Sequence, residues 1–308
     1  MYKLKHLKAK HTVYVFGGAV SDELMSVMDF PTEGSDCLAS DLGFQVGGCG
    51  MNVLRIMTQL KVPCFPGIIV GKGRVAKAVK KELKRLGYTS NFKNSEHDNG
   101  HCMVLISPNA ERTFITVMGA ENYWQEEFFN DIKPKKKDIV YVSGYELLQP
   151  LNEALVNFLK NLPLEQKVFF DLGPMAESLA ESLPELWSRP GAILSINNDE
   201  FKTLHAEQIL DPNSPYKPEV LIHRNGAKPT KLYLLQDDKN YEMHEVECFE
   251  TKVIDSVGAG DAFAAGYLTA LAANEAHTSA ARYGNACGAV ALSQKGPSIK
   301  LTWPRLTS

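Results

Sequence analysis

No Cys-x-x-Cys pair occurs in the chain; its six cysteines, at positions 37, 49, 64, 102, 248 and 287, are scattered. That excludes a zinc ribbon or a dense disulfide framework, and it fits small core residues in a reducing compartment. No apolar run approaches ~18 residues, so nothing is expected to cross a membrane. The basic start, Met1 to Lys8, lacks the apolar stretch of a signal peptide. Excess positive charge is missing as well. Lys and Arg number 33 against 36 Asp and Glu, a net charge of −3, which argues against a nucleic-acid partner. The phosphate-loop pattern Gly-x-x-x-x-Gly-Lys-Ser/Thr is absent, and so are repeats, low-complexity tracts and any linker-like stretch. What remains is a cytoplasmic chain of 308 residues, 44% hydrophobic, with enough apolar sequence for one large α/β unit.

The densest chemical signal is Asp255-Ser256-Val257-Gly258-Ala259-Gly260-Asp261-Ala262-Phe263. Two carboxylates flank a turn of small residues, and Gly258-Ala259-Gly260 leaves backbone N–H groups open to a ligand. The Ala- and Leu-rich run from Ala262 to Leu271 predicts a buried helix, while Glu245 to Val253 alternates like a strand. A glycine turn opening a helix is an anion site, because the free N–H groups and the positive end of the helix dipole coincide. Asp261, in the first turn, would stand beside that anion. A carboxylate next to phosphate is useful mainly as a base for whatever attacks the phosphorus. The plainer alternative is an aspartate that merely caps a helix after a glycine loop.

The rest of the chain alternates between the two periodicities. His11 to Phe16 predicts the first strand, and Asp22 follows it, where ligands bind in α/β sheets; a turn cap is the alternative. Asp36 to Val46 predicts part of a small sheet. Gly100 to Ser107 and Arg112 to Met118 predict a hairpin turning at Pro108 to Glu111, with Asn99 and Arg112 the candidates to reach inward and a place on the hairpin surface the preferred alternative for Arg112. Gly47-Gly48-Cys49-Gly50-Met51-Asn52 opens a helix whose Val53, Ile56, Met57 and Leu60 share a face. Cys64 to Val70 predicts a strand and Val75 to Leu86 a helix with a lysine-rich solvated face. Between them, Gly71-Lys72-Gly73-Arg74-Val75-Ala76 matches the dinucleotide pattern Gly-x-Gly-x-x-Ala, but no strand ending in an acidic residue follows ~20 positions later. Strands at 138–143, 167–171, 192–196 and 219–224, with a helix from Leu151 to Leu159, predict a parallel sheet covered on both faces. Asn197-Asn198-Asp199-Glu200 has the form of a capping box.

The stretch from Asp255 to Phe263 resembles the C-terminal signature of the ribokinase-like, or PfkB, carbohydrate kinases, whose usual form is Asp-Thr-x-Gly-Ala-Gly-Asp-x-Phe. Gly47 to Asn52 resembles their N-terminal signature, and the two stand in the expected order. The resemblance implies a three-layer α/β sandwich with a mostly parallel central sheet and a small β-sheet lid, here about 30–46 and 98–118. It implies transfer of the γ-phosphoryl group of ATP to a sugar hydroxyl. Asp261 would be the general base, with Gly258, Ala259 and Gly260 as the anion hole. Asp22, Gly48, Cys49 and Asn52 would hold the sugar. Asn197, Arg224, Asn225, Gly226, Gly260 and Asn285 would meet the nucleotide, with Asn285 lining the adenine pocket. Glu200 would act on Mg²⁺ through water. Asp255, Val257, Ala291, Gly296 and Ser298 would hold a monovalent cation, K⁺, beside the anion turn; the alternative for Asp255 is a turn residue. A homodimer through the lid is also implied.

Three departures stand out. Ribokinases proper often carry lysine where Cys49 stands, the family usually has Gly-Asp-Asp-x-x-Gly near Gly71, and Thr-Leu-Gly-x-x-Gly is replaced by His223 to Lys228. A nucleoside kinase of the same fold therefore stays open, as does an NAD-dependent dehydrogenase using the Gly71 loop. A non-catalytic sugar sensor is disfavoured by the intact Asp261.

Overall fold

The computed structural model describes residues 2–307 except 110, 149, 151, 237, 238 and 297. Leu151 and Ala110, assigned above to a helix start and a hairpin turn, lie outside the described residues. The strands are β1 Val13–Phe16, β2 Val20–Val27, β3 Ala39–Gly47, β4 Cys64–Gly67, β5 His101–Ile106, β6 Arg112–Val117, β7 Ile139–Ser143, β8 Lys167–Asp171, β9 Ala192–Asn197, β10 Val220–Arg224, β11 Thr230–Leu235 and β12 Tyr241–Val246. The helices are α1 Cys49–Gln59, α2 Arg74–Arg85, α3 Glu153–Lys160, α4 Ala176–Ser182, α5 Asn198–Thr203, α6 Ala206–Leu210, α7 Ala259–Ala272, α8 His277–Leu292 and α9 Trp303–Thr307.

Continuous apolar runs such as Ile139–Val142 are buried on both sides, which only a sheet covered by helices on two faces allows. The central sheet runs in the order β12-β11-β10-β9-β8-β7-β1-β4. It is parallel from β4 to β10, with Val13 opposite both Cys64 and Ile139, and antiparallel only through β11 and β12. One face packs against α1, α2, α7 and α8 through Met51, Leu54, Val79, Phe263, Tyr267 and Ala286; the other is covered by α3 to α6 through Leu155, Leu179 and Ile209. Helix α7 is buried from Asp261 to Ala272, as a helix apolar all round must be. A second sheet, β3-β2-β5-β6, stands apart from the first. No helix among the described residues is long and apolar enough to cross a membrane.

Three elements differ from expectation. Asp22 does not follow a turn; it lies on β2, opposite Gln45 of β3 and Cys102 of β5. The strand expected at 245–253 occupies Tyr241–Val246 instead and pairs with β11, where no strand was expected. The strand expected to reach Val70 stops at Gly67, and Val70 keeps only an isolated bridge to Lys93.

Candidate active site

Helices α1 and α7 begin at the same place, each after a glycine in the left-handed region: Gly48 at φ 94° and Gly258 at φ 75°. A side chain there would strain the backbone, so glycine sets where both helices start. In the first turn of α1, Asn52 Nδ2 donates to Asp261 Oδ2 at 2.8 Å. Asn52 Oδ1 accepts from Arg55 Nη1 at 2.9 Å, and Arg55 is fixed in turn by Glu82 and the Val46 carbonyl. The amide is thus oriented from behind, with its donor aimed at Asp261.

Asp261 is buried. Burial pushes its carboxyl up to about 6, against hydrogen bonds from Asn52 and Cys49 and the charge of Arg224. Asp171 pushes the same way as burial. Burial pushes the Cys49 thiol far up, helped by Asp261, Asp171 and Glu146, so it stays S–H and donates. Asp261 is therefore ionised at neutral pH while keeping appreciable proton affinity, as a general base needs.

Three more carboxylates sit on the small-sheet side. Asp22 is pushed up to about 6 by burial, with Arg55 and Arg112 pulling it down. Glu146, just beyond β7, is 1% exposed and pushed up to about 8 by burial and the nearby charge of Glu121; its hydrogen bond from Ser143 opposes this. Glu121 accepts the N–H groups of Gly100 and Gly119, both at 2.8 Å. Sequence reasoning assigned Glu146 no role. Its position after the C-terminal end of a parallel strand is the signal that marks it.

Across α7 lies a second polar cluster. Arg224 Nη2 donates to Asp171 Oδ1 at 3.1 Å and faces Glu200 at 3.5 Å. Burial works against its charge, but Asp171 and Glu200 hold the guanidinium above its ordinary pKa. Arg224 also underlies the anion turn: a Cβ on Gly260 would fall 2.5 Å from Nη1. Its Nε, the Tyr141 hydroxyl and the Ser195 hydroxyl are buried with no hydrogen-bond partner among the described residues. Asn197 and Glu200 form the capping box of α5, with Asn197 N–H donating to Glu200 at 2.9 Å. Asn225 and Gly226 make the tight turn from β10 to β11, where the Asn225 carbonyl accepts Lys228 N–H. Asn285 accepts from Thr230 at 2.8 Å and donates to the carbonyls of Val246 and Glu247, so its amide ties α8 to the β11–β12 hairpin.

The expected cation group is placed differently. Asp255 Oδ1 accepts Val257 N–H at 3.0 Å, and Oδ2 accepts Gly296 N–H at 2.7 Å and the Arg112 guanidinium. Arg112, expected on the hairpin surface, is 12% exposed at its side chain and reaches from β6 to Asp255. The Ala291 carbonyl is spent on Gln294 N–H, Ser298 is exposed, and Pro297 lies outside the described residues. Among the described residues no three His, Cys, Asp or Glu side chains are grouped to hold a metal ion. The dinucleotide pattern also fails on geometry. Asp98 caps α2, its oxygens accepting Val75 N–H at 3.1 Å and Ala76 N–H at 2.7 Å. A carboxylate already fills the place a pyrophosphate would take.

The pattern of the pfkB family of carbohydrate kinases matches residues 11–304. A sugar kinase of Escherichia coli (strain K12), YegV, described as uncharacterized, is 27% identical over 95% of this chain and 92% of its own length. A ribokinase of Haemophilus influenzae is 22% identical over 93% and 94%. The crystal structure of a nucleoside kinase of Methanocaldococcus jannaschii, a ribokinase-family member, superposes with a TM-score of 0.77 at 20% identity, covering 97% of both chains. Matched over nearly its whole length, the chain belongs to the pfkB family of carbohydrate kinases, phosphotransferases that act on an alcohol group.

Proposed function

We propose that this kinase moves the γ-phosphoryl group of ATP to a hydroxyl of a small sugar. The observation that carries this is the Asn52–Asp261 pair at the joined starts of α1 and α7. Asp261 takes the proton of the substrate hydroxyl as that oxygen attacks phosphorus. The N–H groups from Gly258 to Asp261, at the positive end of α7, stabilise charge developing on the transferred group. Asn52 and Cys49 hold the base in place, and Asp22, Gly48 and Glu146 orient the sugar. Aligning the reacting groups accounts for much of the rate gain in such chemistry.

The nucleotide lies on the Arg224 side, along Asn197, Asn225 and Gly226. Asp171 and Glu200 supply hard oxygen donors of the kind Mg²⁺ accepts through its own waters, and Mg²⁺ bound there would neutralise phosphate charge. The small sheet serves as a lid that keeps water from competing as acceptor, and a second copy of the chain covers its outer side. One observation favours nucleosides over simple sugars: Phe114, on the lid face shared with Arg112, is 53% exposed and offers a base a stacking surface.

The test is ADP release from ATP and Mg²⁺ over a panel of pentoses, hexoses and nucleosides. Turnover of one sugar well above the rest supports the main reading. Turnover of a nucleoside alone transfers the conclusion to the second, and no turnover of any acceptor above the background of Asp261→Asn overturns both.

A further inference from the structure

A carboxylate at Asp255 needs a counter-charge, being only 6% exposed at its side chain. The structure assigns that duty to Arg112: its guanidinium, delivered from the small sheet, takes the place of a monovalent cation beside the anion turn. Asp255 joins three segments. Oδ1 holds Val257 N–H, one residue before Gly258. Oδ2 holds Gly296 N–H, in the segment after α8, and Arg112 on β6, 143 positions away in sequence. Oδ2 already accepts two donors, the Gly296 N–H and the guanidinium of Arg112. Arg112 therefore already supplies the positive charge that K⁺ would bring to these residues. They hold a fixed guanidinium, which is always charged and forks across a carboxylate.

Arg112 is thus a positioning residue. It touches no reacting atom, but it fixes Asp255, and Asp255 fixes the turn that carries Gly258 to Gly260. Because β6 belongs to the small sheet, the anion turn is in order only when that sheet is in place. Phosphate binding and lid position become one event, without a soluble ion.

The experiment compares KCl with tetramethylammonium chloride at equal ionic strength, for wild type and Arg112→Ala. A cation held with a Kd about a hundredth of its concentration would raise the melting temperature by several degrees. Wild type is expected to melt at the same temperature in both salts. Arg112→Ala is expected to melt lower in tetramethylammonium and to regain part of the loss in K⁺, which now has a vacant carboxylate. Its turnover should fall roughly tenfold or more in tetramethylammonium, mainly in kcat, and recover in K⁺. The turnover arm rests on the kinase reading above, and the melting arm does not, so a failure of each is told apart. Where Arg112→Ala fails to fold, Arg112→Gln carries the same comparison. Wild type melting higher in K⁺ overturns the assignment. So does a variant that matches wild type in both salts, or one whose loss K⁺ leaves untouched.

Discussion

Burial makes the Asp261 carboxyl hold its proton more tightly than an exposed aspartate does. Its folded pKa of about 6 lies above the ~3.9 of an unfolded aspartate. Between those values the folded chain holds more protons than the unfolded one, so stability falls as pH rises from about 4 to about 6 and then levels. Asp261→Asn removes that penalty. At pH 7.5 the variant should melt a few degrees above wild type, for a gain of about 1–2 kcal/mol, and the difference should vanish near pH 4. Its kcat should fall by ~10²–10⁴. In wild type, kcat/KM should rise about tenfold per pH unit below 6 and then flatten. Scans at the two pH values and a pH–rate profile check this; a variant less stable at pH 7.5 would show that ionised Asp261 helps to hold the fold. Asp261, Asn52 and Asp255 were legible in the sequence because each sits inside a glycine-rich string. Arg112 and Glu146 were not. Nothing local shows an arginine's partner 143 positions away, and although Glu146 stands just past a parallel strand, its burial depends on how the sheet closes.

At the scale of elements, local pattern served well where burial is one-sided or complete, and poorly at edges. The parallel strands β7 to β10 and the helices α1, α2 and α7 fall within a few residues of expectation, because their apolar positions are set by a covered sheet. Strand β2 was missed because its half-buried run Val20–Val27 carries Asp22 and Glu23, which break the apolar alternation. Strand β11 was not expected and β12 was set too late, because the pair lies at the sheet's edge, where charges such as Lys231, Glu242 and Glu245 are tolerated and alternation is weak. The start of α7 is the element whose geometry matters most to function. Gly258→Ala forces a side chain into φ 75°, at a cost of ~1–2 kcal/mol. The turn should relax by shifting its N–H groups, so KM for ATP and kcat should worsen while KM for the acceptor changes little. Equal losses in both KM values would mean the turn supports the whole site rather than its phosphate half.

For the whole molecule, the small sheet is where packing within one chain is least complete. Strand β6 is at its edge and exposes apolar side chains on both faces, which a monomer seldom leaves open. Strand alternation sorts them. Phe114 and Thr116 share the face of Arg112, and through the register Val104–Phe114 and Cys102–Thr116 that face also carries Asp22. It looks onto the site. Ile115 and Val117, 47% and 48% exposed, point the other way and have nothing to cover them in one chain. A second copy packing there would bury that face and hold each lid over its own site. Wild type should therefore sediment as a dimer at micromolar concentration, and Ile115→Glu with Val117→Glu should sediment as a monomer. Because the anion turn depends on the lid through Arg112 and Asp255, the monomer should lose kcat as well as acceptor affinity. Phe114→Ala should leave the dimer intact and raise only the acceptor KM. If Phe114→Ala breaks the dimer while the paired glutamates do not, the two faces are assigned in reverse. If wild type is monomeric and fully active, the lid closes by itself and the exposed face of β6 has another use.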